Sequence, residues 1–210
     1  MSEKCPLCSS HALLFFNSKQ QYYRCSCCSG IFVQQSDLLD KVSEKEVYQQ
    51  HNIDVFDEGY RRFVSPITDG VKTFFTQTSR GLDFGSGRSE IISTVLGDDG
   101  YKIINYDPLF CNNLEALDLK YDFITSCEVI EHFFHPAKEF KKLSDMLHKH
   151  GKLFLMTELY KEEEFGSWYY KNDPTHVFFY TKKTFEYIKE KFGFESVKIK
   201  GRLVVLGKTS

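Results

Sequence analysis

The amino-acid sequence predicts an α/β protein in which helices cover both faces of a mostly parallel sheet, with a small cysteine-rich module in front of it. From about residue 79 onward, short apolar runs alternate with amphipathic segments, the pattern of repeated strand–helix units. The last two apolar runs predict an antiparallel strand pair that closes the chain. Five of the seven cysteines fall within the first 28 residues, so a local structural demand places them there.

Length and charge bound what the protein can be. The chain has 210 residues, enough for one ordinary domain and a small appendage, and 41% are hydrophobic, enough to bury a core. Lys and Arg number 27 against 29 Asp and Glu, a formal net charge of -2, so no global positive field attracts nucleic acid or an anionic membrane. The sequence shows neither a membrane-spanning apolar run nor a secretory signal. We therefore expect a cytoplasmic protein that does not enter the membrane.

Four of the N-terminal cysteines have the spacing of a zinc site. Cys5 and Cys8 form one CxxC pair, Cys25 and Cys28 form a second, and sixteen residues separate the two pairs. Two such pairs hold Zn²⁺ in a tetrahedral four-thiolate site, which has no open position and is therefore structural. Cys27 could replace Cys28 as the fourth ligand, although CxxC spacing favours Cys28.

Residues 1–38 are accordingly predicted to form a zinc ribbon with a short hairpin. Its strands are expected at residues 11–16 and 21–24, and so little apolar packing is available that the metal would stabilise the module directly. Zinc ribbons often contact nucleic acid, but Lys4, Lys19 and Arg24 are its only basic residues before position 40. RNA is therefore a disfavoured partner.

Residues 39–78 are predicted to be a helical connector that also covers the cofactor. Apolar residues recur at helical spacings from Tyr48 and His51 through to Phe75. Because Ser65-Pro66 falls within this stretch, we expect two helices joined there.

Residues 79–210 carry the predicted sheet. Strands are expected at 81–84, 102–106, 121–126 and 152–156, helices at 91–96, 136–148 and 184–192, and the antiparallel pair at 196–199 and 203–206. A ligand of such a sheet binds at the carboxyl ends of its strands.

A glycine-rich turn follows the first of these strands. Gly85 and Gly87 allow a sharp turn and bring bare backbone up to a ligand, but Glu90 stands where a dinucleotide fingerprint has its third glycine. Asp83 precedes the turn, where a carboxylate repels a pyrophosphate. Asp107 ends the next strand, 22 residues after Gly85, the usual distance for an acid that binds ribose hydroxyls.

These acids discriminate between nucleotide cofactors. S-adenosylmethionine (SAM) has no phosphate and carries a sulfonium and an ammonium, so a carboxylate at Asp83 is complementary to it. A dinucleotide would instead bring two phosphates to the same turn. The sequence therefore favours a SAM site, the alternative for Asp83 being a cap of the following helix.

From about Tyr48 to its end, the chain resembles the class I SAM-dependent methyltransferases, within the group related to quinone-biosynthesis methylases. The matching segments are Gly81-Leu-Asp-Phe-Gly-Ser-Gly87, Tyr106-Asp-Pro108, Tyr121-Asp-Phe-Ile-Thr-Ser-Cys-Glu-Val-Ile-Glu-His132 and Asp173-Pro-Thr-His-Val-Phe-Phe-Tyr180. His51-Asn52 and Gly59-Tyr-Arg-Arg-Phe63 also resemble a bacterial subgroup with an N-terminal four-cysteine module. The resemblance implies a Rossmann-like methyltransferase fold and leaves the methyl acceptor open.

The resemblance also implies roles for individual residues. It places the glycine motif around the methionine part of SAM, Asp107 on the ribose, and Cys127 and Glu128 near the transferable methyl. His132 corresponds to the histidine of a Glu-His pair that follows the same strand. The predicted cofactor-binding residues are Asp83, Phe84, Gly85, Ser86, Gly87, Tyr106, Asp107, Pro108, Cys127 and Glu128.

One departure from the usual fold is visible in the sequence. Only fourteen residues separate Asp107 from Asp122, too few for a full helix and strand between those positions. The third strand is therefore either a stub at residues 116–119 or absent. The adenine side of the pocket would then take its cover from the helices of residues 60–75.

The acceptor side is less well defined. Residues 157–173 form a long loop rich in aromatic residues, which is either a lid and acceptor wall or a surface loop anchored by those aromatics. Asp173 could orient His176 as a general base, the alternative being a histidine that only packs in its loop. His132 is a weaker candidate for the same role.

Together these patterns predict a SAM-dependent methyltransferase with a small-molecule acceptor. The first alternative is an RNA methyltransferase that grips its substrate with the ribbon. The second is a zinc-dependent interaction protein on a methyltransferase fold that transfers no methyl group. SAM and structural Zn²⁺ are the cofactors that the sequence predicts.

Overall fold

The computed structural model describes residues 2–40, 43–44, 47 and 54–208. Its strands are β1 (Ser2–Lys4), β2 (His11–Asn17), β3 (Gln21–Cys25), β4 (Ile31–Val33), β5 (Arg80–Phe84), β6 (Lys102–Tyr106), β7 (Tyr121–Cys127), β8 (Leu147–Met156), β9 (Phe178–Phe179), β10 (Phe194–Lys200) and β11 (Leu203–Lys208). Its α-helices are α1 (Glu58–Phe74), α2 (Ile91–Asp98), α3 (Pro136–Met146) and α4 (Lys182–Lys191). Of the predicted helical residues, Tyr48, His51 and Asn52 lie outside the described residues.

A six-stranded sheet in the order β10-β11-β8-β7-β5-β6 forms the larger part of the molecule. Strands β6, β5, β7 and β8 are parallel, whereas β11 pairs antiparallel with both β8 and β10. The predicted parallel sheet and closing antiparallel pair are thus confirmed. Of the two alternatives for the third strand, a stub at residues 116–119 or its absence, the second is confirmed, because Leu114–Asp118 is a 3-10 helix and no strand lies between β6 and β7.

Helices cover both faces of this sheet, as predicted. Along β8, Leu153 and Leu155 pack in one apolar cluster with residues of α3 and α4, while Phe154 and Met156 pack in a second with residues of α1 and α2. Alternate side chains of a strand point to opposite faces, so β8 has a hydrophobic contact on each side. This arrangement leaves the carboxyl ends of the parallel strands as the open edge.

Helix α1 is continuous, and the predicted break at Pro66 was wrong. Pro66 lies inside the helix on its exposed side, where water can bond the carbonyl that loses its partner. The opposite side buries Val64, Ile67 and Val71, and this packing outweighs the local penalty of the proline. The predicted helix at Val55 and Phe56 was also wrong, since these residues form a turn.

The N-terminal residues form a second sheet in the order β1-β2-β3-β4-β9. The predicted hairpin is β2 and β3, and each CxxC pair lies in a turn at one end of it. The two turns repeat one geometry: Ser9 and Ser29 both have φ of 60°, and their N–H groups bond the carbonyls of Cys5 and Cys25. Matching turns of this kind direct both pairs of sulfurs to one point.

The ribbon sheet is completed by a strand from the far end of the chain. Strand β4 pairs antiparallel with β9, so that Phe32 lies opposite Phe178 and their rings stack 6.4 Å apart. Phe178 is fully buried, in one apolar cluster with Cys5, Cys28 and Tyr180. The ribbon therefore shares both a sheet and a core with the rest of the protein.

No helix of the described residues is both long enough and apolar enough to cross a lipid bilayer.

The shared core predicts cooperative unfolding. Phe178→Ala removes a fully buried ring and should lower the free energy of unfolding by roughly 3–5 kcal/mol, measured by urea denaturation in zinc-containing buffer. Phe56→Ala is the matched control, because Phe56 is 79% exposed and its loss should cost about 0.5 kcal/mol or less. Separate transitions for Trp168 fluorescence and far-UV circular dichroism would contradict a single cooperative unit.

Candidate active site

The glycine turn lies at the carboxyl end of β5 and is tied to the end of β6. Gly85 and Gly87 have φ of 77° and 63°, the left-handed region that glycine adopts without strain. A Cβ at Gly85 would lie 2.5 Å from the side chain of Val129, so the backbone approaches β7 closely. The N–H groups of Gly85 and Ser86 both bond the carbonyl of Tyr106.

Glu90 occupies the position of the missing third glycine and lies in the left-handed region, where side-chain-bearing residues are uncommon. Its φ of 50° is left-handed, and it directly precedes α2. The backbone of the turn is therefore strained at Glu90. The carboxylate of Glu90 also adds negative charge next to Asp83.

Asp83 is buried at the end of β5 and accepts a hydrogen bond from the Thr125 hydroxyl at 2.9 Å. Burial raises the pKa of this carboxyl to about 7, the Thr125 bond opposes the rise, and the charges of Glu90 and Asp107 add to it. A buried acid with this pKa is stabilised in its charged form by a cationic ligand. The predicted helix-cap alternative for Asp83 is not seen, since its oxygen bonds a neighbouring strand.

Asp107 holds the glycine turn in place. One carboxylate oxygen accepts the Gly87 N–H at 3.0 Å, and the other accepts the N–H groups of Leu109 and Phe110. A carboxylate offers about four lone-pair positions, so three are used within the chain and little capacity is left for a ribose diol. Pro108 lies in the same turn, which the Asp107–Cys111 bridge closes.

Four buried polar atoms of the described residues have no hydrogen-bond partner: Oδ1 of Asn105, Oγ of Ser126, Oε1 of Glu128 and Nε of Arg202. Asn105 is paired with Asp83 across β6 and β5, Ser126 lies near the end of β7, and Glu128 follows that strand. An unsatisfied buried polar atom is costly, and Asn105 is the one whose strand partner is Asp83.

Glu128 is at the centre of a second acidic group, beside Cys127 and beyond the end of β7. Its φ of 53° is left-handed, and one carboxylate oxygen bonds both the Arg202 guanidinium and the Tyr170 hydroxyl. Burial raises the pKa of Glu128 to about 8, and the charge of Glu131 adds to the rise while Arg202 opposes it. Tyr170 also donates to fully buried Glu131.

The two predicted catalytic histidines lie together, but Asp173 does not orient them. The ring of His176 bonds the Tyr170 carbonyl through Nδ1 at 2.7 Å, and the ring of His132 bonds the Thr175 carbonyl through Nδ1 at 2.9 Å. Asp173 lies 3.9 Å from Nε2 of His176 and instead accepts from the backbone and hydroxyl of Thr175. The expectation that Asp173 orients His176 was therefore wrong, because the Tyr170 carbonyl holds the ring at Nδ1 and Asp173 lies beyond hydrogen-bond distance of Nε2.

The aromatic loop is anchored against the ribbon. Phe165 is buried at the centre of an aromatic cluster in which its ring lies 5.2 Å from Tyr22 and 5.7 Å from Phe179. Tyr160 donates to the Ser29 carbonyl, and Tyr22 donates to the Lys171 carbonyl. Of the two predicted alternatives, the structure favours the anchored loop over a lid.

The four predicted zinc ligands converge. The sulfurs of Cys5 and Cys28 are 3.6 Å apart and those of Cys8 and Cys25 are 3.2 Å apart, and all four lie within 4.8 Å of one another. Tetrahedral zinc with bonds of about 2.3 Å requires sulfurs about 3.8 Å apart, so the set fits that ion. Cys27 is exposed and is not part of the group.

Several residues of the site were not predicted from the sequence. Glu131, Thr157, Tyr170 and Arg202 form its hydrogen-bonded interior. Glu131 lies within the segment 121–132 on which the resemblance rests, directly before His132, and this position could have indicated that it belongs to the site. Arg202 lies in the β10–β11 turn, where no local pattern marks a functional cation.

The comparisons with known proteins agree with this geometry. A family model described as a methyltransferase domain matches residues 56–199, more than half of the chain. No curated protein matches the sequence. Because the family model covers so much of the chain, the protein belongs to this methyltransferase family, in the class I SAM-dependent group, and is an enzyme.

Three solved structures illustrate the fold. PigF with SAH matches over 84% of this chain and 67% of its own, at 13% identity and a TM-score of 0.53. An O-methyltransferase family protein from Burkholderia thailandensis matches over 71% of this chain and 57% of its own, at 14% identity and a TM-score of 0.52. The mitomycin 7-O-methyltransferase MmcR matches over 74% of this chain and 59% of its own, at 12% identity and a TM-score of 0.51. At these identities the likeness extends to the fold alone.

The raised pKa of Asp83 predicts a pH-dependent affinity for SAM. Below about pH 7 this carboxyl is protonated and loses its attraction for the cationic cofactor, so the affinity should rise with pH. One pH unit below the pKa, about one tenth of the molecules are ionised, and the apparent Kd should be about tenfold weaker. Calorimetry at several pH values measures this, and Asp83→Asn should flatten the profile. A wild-type Kd that stays constant across that pH range would contradict the role of Asp83.

Proposed function

We propose that this methyltransferase acts on a small-molecule acceptor, with SAM held at the carboxyl edge of the six-stranded sheet. The observation that carries the cofactor site is the buried carboxylate of Asp83, which lies at the end of β5 directly before the glycine turn and bonds the Thr125 hydroxyl. SAM supplies a methyl group on a sulfonium, activated for in-line displacement. The chain then has to hold the cofactor, exclude water and orient the acceptor.

The residues around the turn support this assignment. Gly85, Ser86 and Gly87 offer a close backbone surface, and Asp83 offers negative charge to a cationic cofactor. Phe84 and Tyr106 pack their rings 5.3 Å apart beneath the turn, which gives it an apolar floor. We propose that Asp107 acts chiefly by fixing Gly87, with one remaining lone-pair position toward the ribose.

A groove beside Arg202 supports a small-molecule acceptor. It has a volume of about 1070 Å³ and runs from the second cysteine turn of the ribbon past Glu158 to the β10–β11 turn, close to the upper size of ligand pockets. Its basic residues are Arg24, Lys161, Lys182, Lys183 and Arg202, against the acidic Glu158 and Glu162. Arg24 and Arg202 are already paired with acids, so the positive charge offered to a ligand lies at exposed Lys182 and Lys183. This charge favours an acceptor that carries a carboxylate or phosphate.

The base roles of His176, Asp173 and His132 stay predictions. His176 is buried, and its Nε2 is directed toward Glu131 and Asp173 at 4.0 and 3.9 Å. Methyl transfer needs no base where the acceptor already has a free lone pair, and orientation alone then suffices.

We further propose that Cys5, Cys8, Cys25 and Cys28 bind one structural Zn²⁺. The converging sulfurs and the matched serine turns support the site, and four thiolates leave no position for substrate. Since β4 pairs with β9 two residues after His176, the metal would stabilise the acceptor side through the backbone.

The zinc assignment predicts a difference between two adjacent cysteines. Cys28→Ser should lose most of the bound zinc and lower the melting temperature by several degrees, since the ribbon shares its core with the sheet. Cys27→Ser is the matched control and should keep zinc and stability, because Cys27 is exposed. Elemental analysis and thermal unfolding measure both quantities. Zinc retained in Cys28→Ser and lost in Cys27→Ser would assign the fourth ligand to Cys27.

Two alternatives to a small-molecule methyltransferase differ in what they bind and in whether they transfer a methyl group. An RNA methyltransferase would bind RNA with a steep salt dependence, whereas the acidic net charge of -2 opposes this. A non-catalytic interaction protein would bind SAM without turnover or would not bind it.

Transfer of labelled methyl from SAM to a panel of metabolites tests the proposal directly. The panel should favour molecules with a carboxylate or phosphate, and should include quinol precursors and transfer RNA. Incorporation into a small molecule, abolished by Asp83→Asn at neutral pH, is the expected result. Incorporation into RNA alone, or SAM binding with no transfer to any member, would count against a small-molecule acceptor.

A further inference from the structure

A second group of metal-ligating side chains lies apart from the cysteines. One oxygen of Glu131 and one ring nitrogen each of His132 and His176 are all within 4.8 Å of one another. The two imidazole rings are 4.8 Å apart in an edge-to-face arrangement. Glu131 is fully buried and His176 nearly so, so these groups face each other in a site largely screened from water.

The backbone holds both histidines in one orientation. His176 uses Nδ1 on the Tyr170 carbonyl and His132 uses Nδ1 on the Thr175 carbonyl. A ring whose Nδ1 donates to a carbonyl carries its lone pair on Nε2, and metal-binding histidines are commonly fixed this way. Nε2 of His176 lies 4.0 Å from the nearer oxygen of Glu131, which leaves space for an ion between them.

The carboxylate of Glu131 is also supported as a metal ligand would be. It accepts from the hydroxyls of Thr157 and Tyr170, and ligating carboxylates are typically hydrogen-bonded in this manner. Its own carbonyl accepts the Val177 N–H at 2.8 Å, while the Val177 carbonyl accepts the Val33 N–H. These two backbone hydrogen bonds hold the segment of Glu131 and His132 against the segment of His176, and hold the latter against β4 of the ribbon.

The charges in this region favour an added cation. The guanidinium of Arg202 is paired with Glu128 and Glu158, and no arginine or lysine of the described residues is paired with Glu131. Glu131 meets neutral hydroxyls in full burial, and a buried carboxylate without a cationic partner is costly. A divalent ion between Glu131 and the two histidines would offset that cost.

We propose that Glu131, His132 and His176 bind a divalent transition metal ion at a second site, distinct from the cysteine site of the ribbon. Two imidazoles and one carboxylate suit Zn²⁺, Fe²⁺, Co²⁺ or Mn²⁺. Three protein ligands leave at least one position open for water or for an oxygen or nitrogen of another molecule. Only a contact between the ion and the methyl acceptor rests on the proposed function; the binding of the ion does not.

Cobalt titration of the full-length, zinc-loaded protein tests the site. With zinc on the four cysteines, added Co²⁺ should bind at about one further equivalent per chain and give ligand-field absorption without a thiolate-to-cobalt charge-transfer band. A charge-transfer band would mean that cobalt had displaced zinc from the ribbon. No binding beyond the ribbon site would overturn the proposal.

Variants locate the ion. His176→Asn and Glu131→Gln should each weaken cobalt binding by at least about tenfold, whereas His148→Ala should leave it unchanged, because His148 lies exposed on β8. Cobalt binding that survives in His176→Asn would overturn the assignment. SAM calorimetry on the same samples is independent, so wild-type protein that binds SAM normally but takes up no second metal rejects this site without rejecting the proposed function.

Crystals of the wild-type protein soaked in Mn²⁺ test the site without any substitution, so that a variant that fails to fold does not decide the outcome. An anomalous peak in contact with Glu131, His132 and His176 is expected. Peaks elsewhere, with none between these side chains, would overturn the proposal.

Discussion

The pairing of β4 with β9 is the interaction on which the rest of the structure depends. It adds two residues from the C-terminal half of the chain to the ribbon sheet, and its register places Phe32 against Phe178 in a core that includes Cys5, Cys25 and Cys28. Because His176 and Val177 directly precede β9, the same pairing fixes the acceptor side of the site. A metal in the ribbon would thus act on the chemistry through backbone hydrogen bonds and packing, without touching a substrate.

Two buried carboxylates lie at the carboxyl edge of the six-stranded sheet. Asp83 and Glu128 are at the ends of β5 and β7, and burial raises the pKa of both carboxyls, to about 7 and about 8. Arg202 offsets the cost of ionising Glu128, whereas ionised Asp83 bonds only a hydroxyl and would be stabilised by a cationic ligand. The electrostatic design therefore suits a sulfonium cofactor and opposes a pyrophosphate.

Much of this fold could be predicted from the sequence, because its signals are local. The alternation of apolar runs predicted the sheet, and two CxxC pairs predicted the converging sulfurs. The break predicted at Pro66 was wrong because burial of Val64, Ile67 and Val71 stabilises the helix by more than an exposed proline destabilises it. The orientation of His176 could not be predicted either, because the Tyr170 carbonyl competes with Asp173 only once the loop is folded. Arg202 and Glu128 come from distant segments, and no spacing in the sequence indicates that they form an ion pair.

The match to the methyltransferase family begins at residue 56, yet the sheet that supports His176 begins near the N-terminus. Residues outside the family match therefore form a wall of the groove where we place the acceptor, since Arg24, Cys25, Ser26 and Ser29 line it. A change of acceptor during evolution could begin in the ribbon and leave the cofactor turn untouched. Conversely, Phe32 and Phe178 are expected to vary together among descendants, because neither ring can change size without leaving a gap against the other.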